Sequence, residues 1–437
     1  MNRRNFLFAL AAPKPRPNIL FLFSDDQRFD TIRALGNREI QTPNLDRLCA
    51  RGVAFTQASI MGGNQPAVCM PSRAMLMTGQ SLYHATDAVA GKRPYHLWPA
   101  VFAQAGYQTY GAGKWHNGPK LYHEAFSAGG PIFFGGMNDH YRTPLHRYNA
   151  SAQYPPTAAE RSPKQSASVL FTDGLLGFLQ RRDKTKPFCA YVAFTAPHDP
   201  RQAPPEWQAK YPVDKIKLPQ NFLPKHPFDN GELEIRDEKL LPFPRTPEAV
   251  KKEIADYYAL ISHLDSQIGR ILDAVDENTI IVFAGDNGLA VGQHGLLGKQ
   301  NLYDHSIRVP LLVAGPGIKK GRQSSALVYV HDCFATLCDL AGLPKPATVE
   351  GESFAPALRG EQFVGRASTF HVYRDFQRAV RTRTHKLIRY TVKGATTKQL
   401  FDLGRDPLEM TNRIDDPSQA KRVAELEAEL SRWEKLV

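Results

Sequence analysis

The sequence predicts an α/β fold, in which a large, mostly parallel sheet is flanked by helices and followed by a smaller C-terminal α+β subdomain. Strand-like segments alternate with helical segments up to about residue 360, and several of the strand-like segments are apolar along their whole length. This pattern is typical of a parallel sheet that helices cover on both faces, where each strand is buried on both sides. Beyond residue 360, a run of strands followed by one helix indicates the second unit.

Four of the strand-like segments end in polar side chains. In chain order these are Asp25 and Asp26 after the run from Ile19, Lys114 and His116 after Tyr107–Ala112, His198 after the run from Ala190, and Asp286 and Asn287 after the run from Ile280. Because the carboxyl ends of parallel strands meet at one edge of the sheet, we expect these side chains to lie close together.

The helices are predicted from their end signals and their apolar spacing. They are expected at Thr42–Gly52, Leu97–Gly106, Ser166–Arg181, Pro247–Asp276 and His331–Ala341. The stretch 200–247 holds ten prolines, and the stretch 117–165 is rich in Tyr, His, Arg and Gly. Both stretches are expected to be irregular and to form walls of a pocket.

The C-terminal unit is expected to span residues 361–437, after a catalytic domain at 17–360. Paired strands are predicted at Ala379–Thr384 and His385–Val392, with a third strand at Gln399–Leu403. The terminal helix is predicted at Ser418–Leu436, because Val423, Leu426, Leu430 and Trp433 form one apolar face.

The run Cys69-Met70-Pro71-Ser72-Arg73 contains the candidate nucleophile. The segment that follows, Ala74–Thr78, reads as a short helix that Gly79 stops. A nucleophile at a junction between a loop and a helix faces the first free N–H groups of the helix, which favour negative charge.

This run resembles the Cys-x-Pro-Ser-Arg signature of the type I sulfatases, the formylglycine-dependent branch of the alkaline-phosphatase-like superfamily. The four strand-end segments and Gly295-Leu296-Leu297-Gly298-Lys299 occur in the order of that family's motifs, from about residue 17 to the C-terminus. The resemblance implies a sulfuric ester hydrolase with an alkaline-phosphatase-like fold. It also implies that a maturation enzyme oxidises Cys69 to formylglycine, whose hydrate is the nucleophile.

The oxygen donors among the candidate residues predict a divalent metal site. Asp25, Asp26, Asp286 and Asn287 offer hard oxygen ligands without the His and Cys expected for zinc, which suits Ca²⁺ or Mg²⁺. The resemblance implies one Ca²⁺ at these positions, with an oxygen on residue 69 completing its shell.

The resemblance also assigns roles to the basic residues. Arg73 and His116 are expected to hold the formylglycine hydrate, and Lys114 and Lys299 to bind sulfate oxygens. His198 is expected to donate a proton to the leaving group. His116 is further a candidate for deprotonating the hydrate, since the ordinary pKa of histidine lies near neutrality.

Charge and composition limit the partners. The 437 residues carry a formal net charge of +12, which attracts polyanions and fits a sulfated polymer, a nucleic acid or no specific partner. The positive residues are dispersed without a Lys/Arg run, so no nucleic-acid partner is predicted. With no apolar run near 18 residues, no transmembrane segment is predicted either. Cys333 and Cys338 are expected in a helix core instead of a disulfide.

The N-terminus resembles a twin-arginine export signal. Asn2-Arg3-Arg4-Asn5-Phe6-Leu7 is followed by an apolar and small-residue run. Residues 1–16 are therefore predicted to direct the chain to the periplasm or the exterior. A vestigial signal, with the protein left in the cytoplasm, is the alternative.

Three functions remain open at this stage. They are a sulfatase, a phosphonate or phosphodiester hydrolase on the same fold, and a non-catalytic binder of sulfated glycans. The expected substrate is a sulfated carbohydrate or another small sulfate ester, with choline sulfate as a rival. Tyr141, Arg142, His146 and Arg147 are candidate sugar contacts, because aromatic rings stack on sugars and arginine binds sulfate bidentately.

Overall fold

The computed structural model describes residues 16–155 and 165–436 of the chain. Its strands, in chain order, are β1 (Asn18–Ser24), β2 (Gly52–Phe55), β3 (Ala58–Ser59), β4 (Gly62–Gly63), β5 (Gln108–Lys114), β6 (Ala128–Phe133), β7 (Phe188–Ala193), β8 (Thr279–Gly285), β9 (Leu311–Ala314), β10 (Arg322–Ser324), β11 (Val328–Tyr329), β12 (Thr369–Tyr373), β13 (Gln377–Arg381), β14 (His385–Val392) and β15 (Ala395–Asp402). Its α-helices are α1 (Pro43–Arg51), α2 (Cys69–Thr78), α3 (Leu82–Val89), α4 (Trp98–Gln104), α5 (Gly118–Ala125), α6 (Ala167–Arg181), α7 (Pro205–Gln208), α8 (Pro247–Ala274), α9 (Asp304–Ile307), α10 (Asp332–Ala341), α11 (Ala355–Arg359) and α12 (Ala420–Glu434).

The main sheet is mostly parallel, as predicted. Within the described residues it has eight strands, in the order β10-β2-β9-β8-β1-β7-β5-β6. Only β9 runs antiparallel to its neighbours in this part of the chain. The four neighbouring strands β8, β1, β7 and β5 are parallel, so their carboxyl ends share one edge.

Helices cover both faces of this sheet. On one face Leu20 and Leu22 of β1 pack in a core with residues of α1, α6 and α8. On the other face Ile19, Phe21 and Phe23 join a core with residues of α2, α4 and α10. The alternate residues of β1 therefore enter two different cores, which explains why its sequence is apolar throughout.

The C-terminal unit is a second sheet with one helix. In the described ranges this sheet has five strands, in the order β15-β14-β13-β12-β4, and β12 to β15 are antiparallel. Leu426 and Leu430 of α12 pack on one of its faces. β4 (Gly62–Gly63) comes from the N-terminal part of the chain, so the second sheet is completed by a segment that precedes the nucleophile run.

The structure corrects several expectations from the sequence. The stretch 117–165, expected to be irregular, contains α5 and the edge strand β6, whose Ala-Gly-Gly-Pro start lacks typical strand residues. α2 begins at Cys69 instead of Ala74, because Pro71 lies in the first helical turn, where no backbone N–H donor is needed. β13 and β15 begin before the predicted positions.

The structure does not test two of the sequence predictions, the export signal and the domain boundary. The predicted export signal at residues 1–16 lies outside the described residues except for Arg16, and the division at residue 361 stays a prediction. Among the described residues, no helix combines the length and the apolar composition that a membrane crossing requires.

A buried ionic cluster joins the C-terminal sheet to α9, which lies between β8 and β9 in the chain. Asp304 of α9 accepts hydrogen bonds from Arg381 at 3.0 and 2.9 Å and contacts the Lys386 ammonium at 2.5 Å. Lys386, on β14, also contacts Glu409 at 2.5 Å, and the Lys386 side chain is fully buried. The ion pairs compensate for the hydration that these charges lose on burial. Removing one charge therefore leaves its partner buried without compensation.

We expect Lys386→Met to lower the free energy of unfolding by about 3 to 5 kcal/mol, because it leaves Glu409 buried without its ammonium partner. The matched control is Lys398→Met on β15, whose partly exposed partner is Glu427 and whose loss should cost no more than about 1 kcal/mol. Urea unfolding of both variants measures the difference. Equal losses would contradict the importance of the buried cluster.

Candidate active site

The candidate residues meet at the shared carboxyl edge of the parallel strands. β1 ends before Asp25 and Asp26, β8 before Asp286 and Asn287, and β5 ends at Lys114. All five of these residues are at most 2% exposed. Charges buried to this degree must be neutralised by partners within the protein or by a bound ion.

Arg73 and Asp286 form the central ion pair. Arg73 donates from Nε and Nη2 to one oxygen of Asp286, at 3.1 and 2.7 Å. Its Nη1 donates to the carbonyl oxygen of Lys114 at 2.9 Å and to the hydroxyl of Tyr191 at 3.3 Å. The guanidinium therefore connects α2 with the ends of β8 and β5 and with the interior of β7.

Two lysines neutralise the other carboxylates. Lys114 donates to Asp25 at 2.5 Å, and Lys299 donates to Asp26 at 2.7 Å. The amide of Asn287 donates to the same oxygen of Asp26 at 2.7 Å. Three carboxylates are thus balanced by three cations, which leaves a formal charge of zero before any metal ion is added.

Two backbone conformations at the site are strained. Asp26 has a φ of 62° and His116 a φ of 63°, which is the left-handed region that non-glycine residues rarely adopt. Gly113 also has a positive φ, and a Cβ there would lie 1.8 Å from the carbonyl oxygen of Ala193. Strain of this kind persists where the surrounding structure fixes a functional geometry.

Some oxygen atoms of the site have no hydrogen-bond partner among the described residues and are suited to bind a cation. Oδ1 of Asp25 and Oδ1 of Asn287 are buried and accept no hydrogen bond from the described protein atoms. The ligand atoms of Asp25, Cys69 and Asp286 lie within 4.8 Å of one another. Burial and the charge of Asp25 also raise the pKa of Asp286, although Arg73 opposes this effect. The donor set and its unpaired oxygens fit a hard divalent cation.

Cys69 lies at the start of α2, next to His116. The Cys69 Sγ and the His116 Nδ1 are 3.3 Å apart, and Cys69 is 2% exposed. Burial raises the pKa of the Cys69 thiol, although Lys114 and Lys299 oppose the shift. Burial and the charges of Lys114 and Arg73 lower the pKa of His116 to about 2. A pKa this far below neutrality leaves the His116 imidazole uncharged, and its role as the base that deprotonates the hydrate stays a prediction.

His198 lies beside Asp26. Its Nε2 is 3.5 Å from Asp26 Oδ2, and its Nδ1 donates to the carbonyl oxygen of Asp199 at 2.7 Å. Burial lowers the pKa of His198, while the negative charges of Asp26 and Asp199 oppose this. The hydrogen bond at Nδ1 leaves Nε2 as the nitrogen directed at the carboxylate pair.

The structure thus brings together every residue predicted for catalysis and for the metal, and their individual roles stay predictions. Sequence reasoning missed several supporting residues. Tyr191 contacts Arg73, His140 donates to the carbonyl oxygen of His198 at 2.9 Å, and Asp199 holds the His198 ring. Asp199 directly follows His198 in the chain, so its position offered a signal, whereas Tyr191 is one aromatic residue in an apolar strand.

The four predicted sugar contacts lie on the segment after β6. His146 pairs with Ile132 of β6 through the backbone, and its ring packs near Phe134 and Tyr154, with ring centroids 5.5 and 5.9 Å away. Arg142 and Arg147 are exposed and Tyr141 is half-buried. The structure therefore gives His146 a packing role, and sugar contact by any of the four stays a prediction.

Comparison with known families gives two overlapping matches. The family model described as sulfatase matches residues 17–343, which is most of the chain. The model described as N-sulphoglucosamine sulphohydrolase, C-terminal, matches residues 292–435.

Curated relatives match over nearly the full chain. An N-acetylglucosamine-6-O-sulfatase of Bacteroides thetaiotaomicron is 27% identical over 94% of this chain and 85% of the relative. An arylsulfatase of Clostridium perfringens is 27% identical over 93% of this chain and 92% of the relative.

Solved structures share the fold. A protein in complex with its substrate D-glucosamine-2-N,6-O-disulfate aligns with a TM-score of 0.77 and 24% identity, over 96% of this chain and 98% of that protein. The phosphonate monoester hydrolase of Agrobacterium radiobacter also aligns with a TM-score of 0.77, at 23% identity, over 97% of this chain and 96% of that enzyme. At this identity both structures establish the alkaline-phosphatase-like fold alone.

We expect saturating Ca²⁺ to raise the thermal unfolding midpoint of the protein, and Mg²⁺ to raise it less, since Mg²⁺ requires a tighter octahedron. A free Ca²⁺ concentration of a hundred times Kd should add about 2.7 kcal/mol of stability. Asp286→Asn, which removes one buried carboxylate charge, should abolish the shift.

Asp273→Asn is the control for the metal prediction, because Asp273 is exposed and pairs with Arg47 outside the site. It should keep the full Ca²⁺ shift. An unchanged wild-type midpoint, or an undiminished shift in Asp286→Asn, would contradict the metal site.

Proposed function

Because the chain belongs to the sulfatase family and is a sulfuric ester hydrolase, we propose that it removes sulfate from a sulfated carbohydrate at the site around Cys69. The observation that carries this proposal is the buried cluster of three carboxylates and three cations beside Cys69. Catalysis of sulfate ester cleavage requires fixed positive charge around the sulfuryl group, which Arg73, Lys114 and Lys299 would supply together with a bound metal ion.

The proposed metal and the modified cysteine complete the chemistry. We infer that Asp25, Asp26, Asp286 and Asn287 hold one Ca²⁺, which would supply positive charge near the developing negative charge of the reaction. We infer also that Cys69 is converted to formylglycine by a maturation enzyme, which would supply an oxygen nucleophile at this position.

The chain's own residues would bind and orient the ester. Lys114 and Lys299 are buried, so solvent screens their charges little and they can hold the sulfate oxygens. Arg73 keeps Asp286 in place through its two hydrogen bonds. His198 would present Nε2 to the oxygen of the leaving alcohol and donate its proton there.

The carbohydrate assignment rests on three supports. The curated N-acetylglucosamine-6-O-sulfatase acts, by its name, on a sulfated amino sugar, and one solved relative binds D-glucosamine-2-N,6-O-disulfate. The formal charge of +12 also favours a polyanionic substrate. The twin-arginine-like N-terminus supports action in the periplasm or outside the cell, where such polymers occur.

We expect Cys69→Ala and Cys69→Ser to lower kcat on the best sulfate ester by at least about a thousandfold, as loss of a nucleophile does. Mass spectrometry of the tryptic peptide that ends at Arg73 should show formylglycine in the active wild type. Cys49→Ala, at a cysteine of α1 outside the site, should remain active. Full activity of Cys69→Ala would refute the nucleophile assignment.

We expect a panel of substrates to favour sulfated sugars. The panel holds sulfated mono- and oligosaccharides, 4-nitrophenyl sulfate, choline sulfate, and a phosphonate monoester. The value of kcat/KM for the best sulfated sugar should exceed that for the phosphonate by at least tenfold, which is about 1.4 kcal/mol of differential transition-state binding. Faster turnover of the phosphonate, or turnover of choline sulfate with none of any sugar, would overturn the substrate assignment.

A further inference from the structure

The imidazole of His198 is held by groups that sequence patterns did not identify. Its Nδ1 lies 2.7 Å from the carbonyl oxygen and 3.3 Å from the carboxylate of Asp199. The carbonyl oxygen of His198 accepts a hydrogen bond from His140 Nε2 at 2.9 Å, and His140 Nδ1 lies 3.1 Å from the hydroxyl of Thr195. His198 is 6% exposed, so the ring has little room to turn.

Arg236 anchors the carboxylate of Asp199. Its two terminal nitrogens both donate to Asp199, with Nη1 at 2.7 Å from Oδ1 and Nη2 paired with Oδ2. This two-point geometry fixes the orientation of the carboxylate as well as its position. The Asp199 side chain is 8% exposed, whereas that of Arg236 is 44% exposed. The buried carboxylate that contacts His198 is therefore fixed from the solvent side.

The same anchor extends to the loop of Lys299. Arg236 Nη1 lies 3.3 Å from Asp237 Oδ1, and the other oxygen of Asp237 accepts from the side chain of Gln300 at 2.8 Å. Gln300 directly follows Lys299 in the chain. The pair Arg236–Asp237 thus links the segment that carries His198 with the segment that carries Lys299.

We propose that Asp199, anchored by Arg236, is a positioning residue that holds His198 with Nε2 directed at the leaving-group oxygen of the bound ester. The assignment rests on the proposed function, because it concerns the proton donor of that reaction. Asp199 does not touch the reacting atoms, so it acts through His198. Its carbonyl oxygen and carboxylate both face Nδ1, which places the ring's remaining nitrogen on the side of Asp26.

The proton transfer that this geometry serves belongs to the proposed reaction. The bond between sulfur and the alcohol oxygen would break as a bond forms between sulfur and a deprotonated hydrate oxygen on residue 69. The doubly protonated imidazole of His198, whose Nδ1 proton is held by Asp199, would pass its Nε2 proton to the alcohol oxygen, which leaves His198 neutral and the alcohol uncharged. A poor leaving group such as a sugar hydroxyl needs this proton, whereas 4-nitrophenolate leaves readily without it.

The test compares these two leaving groups. In Asp199→Ala, kcat for a sulfated sugar should fall about ten- to a hundredfold, the range expected when a proton donor is displaced. The kcat for 4-nitrophenyl sulfate should fall less than about threefold. His198→Ala should show the same selectivity with a larger loss on the sugar. Asp199→Asn should fall between Asp199→Ala and wild type, since its amide oxygen can still accept from Nδ1.

Arg236→Gln tests the anchor without altering a buried group. It should show the same selective loss at smaller size, and its exposed position makes it the variant to use if Asp199→Ala fails to fold. The matched control is Arg270→Gln, since the Arg270 side chain is 42% exposed and pairs with Asp173 at 2.6 Å, between α8 and α6. This control should leave both activities unchanged.

Two outcomes separate the proposals. Equal losses on both substrates, or no loss on either, in Asp199→Ala and Arg236→Gln would overturn the positioning role while leaving the proposed function intact. A wild-type protein, with residue 69 matured and Ca²⁺ present, that hydrolyses no sulfate ester would overturn the proposed function and this assignment together.

Discussion

The site depends on the burial of three neighbouring carboxylates, those of Asp25, Asp26 and Asp286. An isolated buried carboxylate is unstable, so each needs a cation close by. Asp286 forms an ion pair with Arg73 of α2, and Asp25 forms one with Lys114 at the end of β5. Asp26 forms an ion pair with Lys299, which lies in the loop after β8. The carboxylates thereby fix where a helix, a strand end and a loop must meet, and Cys69 is placed among them because it opens the same helix as Arg73.

The strained residues follow from this crowding. The chain turns at Asp26, shortly after the fully buried strand β1. The backbone N–H of Asp26 donates to Asp286 Oδ1 at 3.0 Å, and its carbonyl oxygen accepts a hydrogen bond from the Tyr257 hydroxyl at 2.7 Å. These bonds hold the left-handed conformation against its intrinsic cost. At the end of β5, Gly113 allows the strand to approach β7 closely. At the site, this strain falls on Asp26 and His116, whose side chains enter it.

The sequence predicted the parts of the fold that local patterns encode. It predicted the parallel sheet and the edge of the sheet at which the site lies, from the apolar strands that end in Asp25-Asp26 and Asp286-Asn287 and from the cysteine run. It could not predict β4, because two glycines pair with β12 only once the second sheet exists. It also missed Arg236, which contacts Asp199 across 37 residues of proline-rich chain. Contacts of this kind depend on tertiary structure, and no local periodicity marks them.

The two histidines of the site differ because their neighbours differ. His116 faces Lys114, Arg73 and Lys299, whose positive charges add to burial and lower its pKa to about 2. His198 is more deeply buried, at 6% exposure, and burial together with Lys299 and Lys114 lowers its pKa as well, while the charges of Asp26 and Asp199 oppose the lowering. The carboxylates beside His198 are thus what distinguishes its surroundings from those of His116. This difference fits the proposed role of His198 as proton donor, whereas the role of His116 beside Cys69 stays a prediction. In the proposed role, the carboxylate of Asp199 would favour the charged form of His198 and, anchored by Arg236, would hold the direction of its ring.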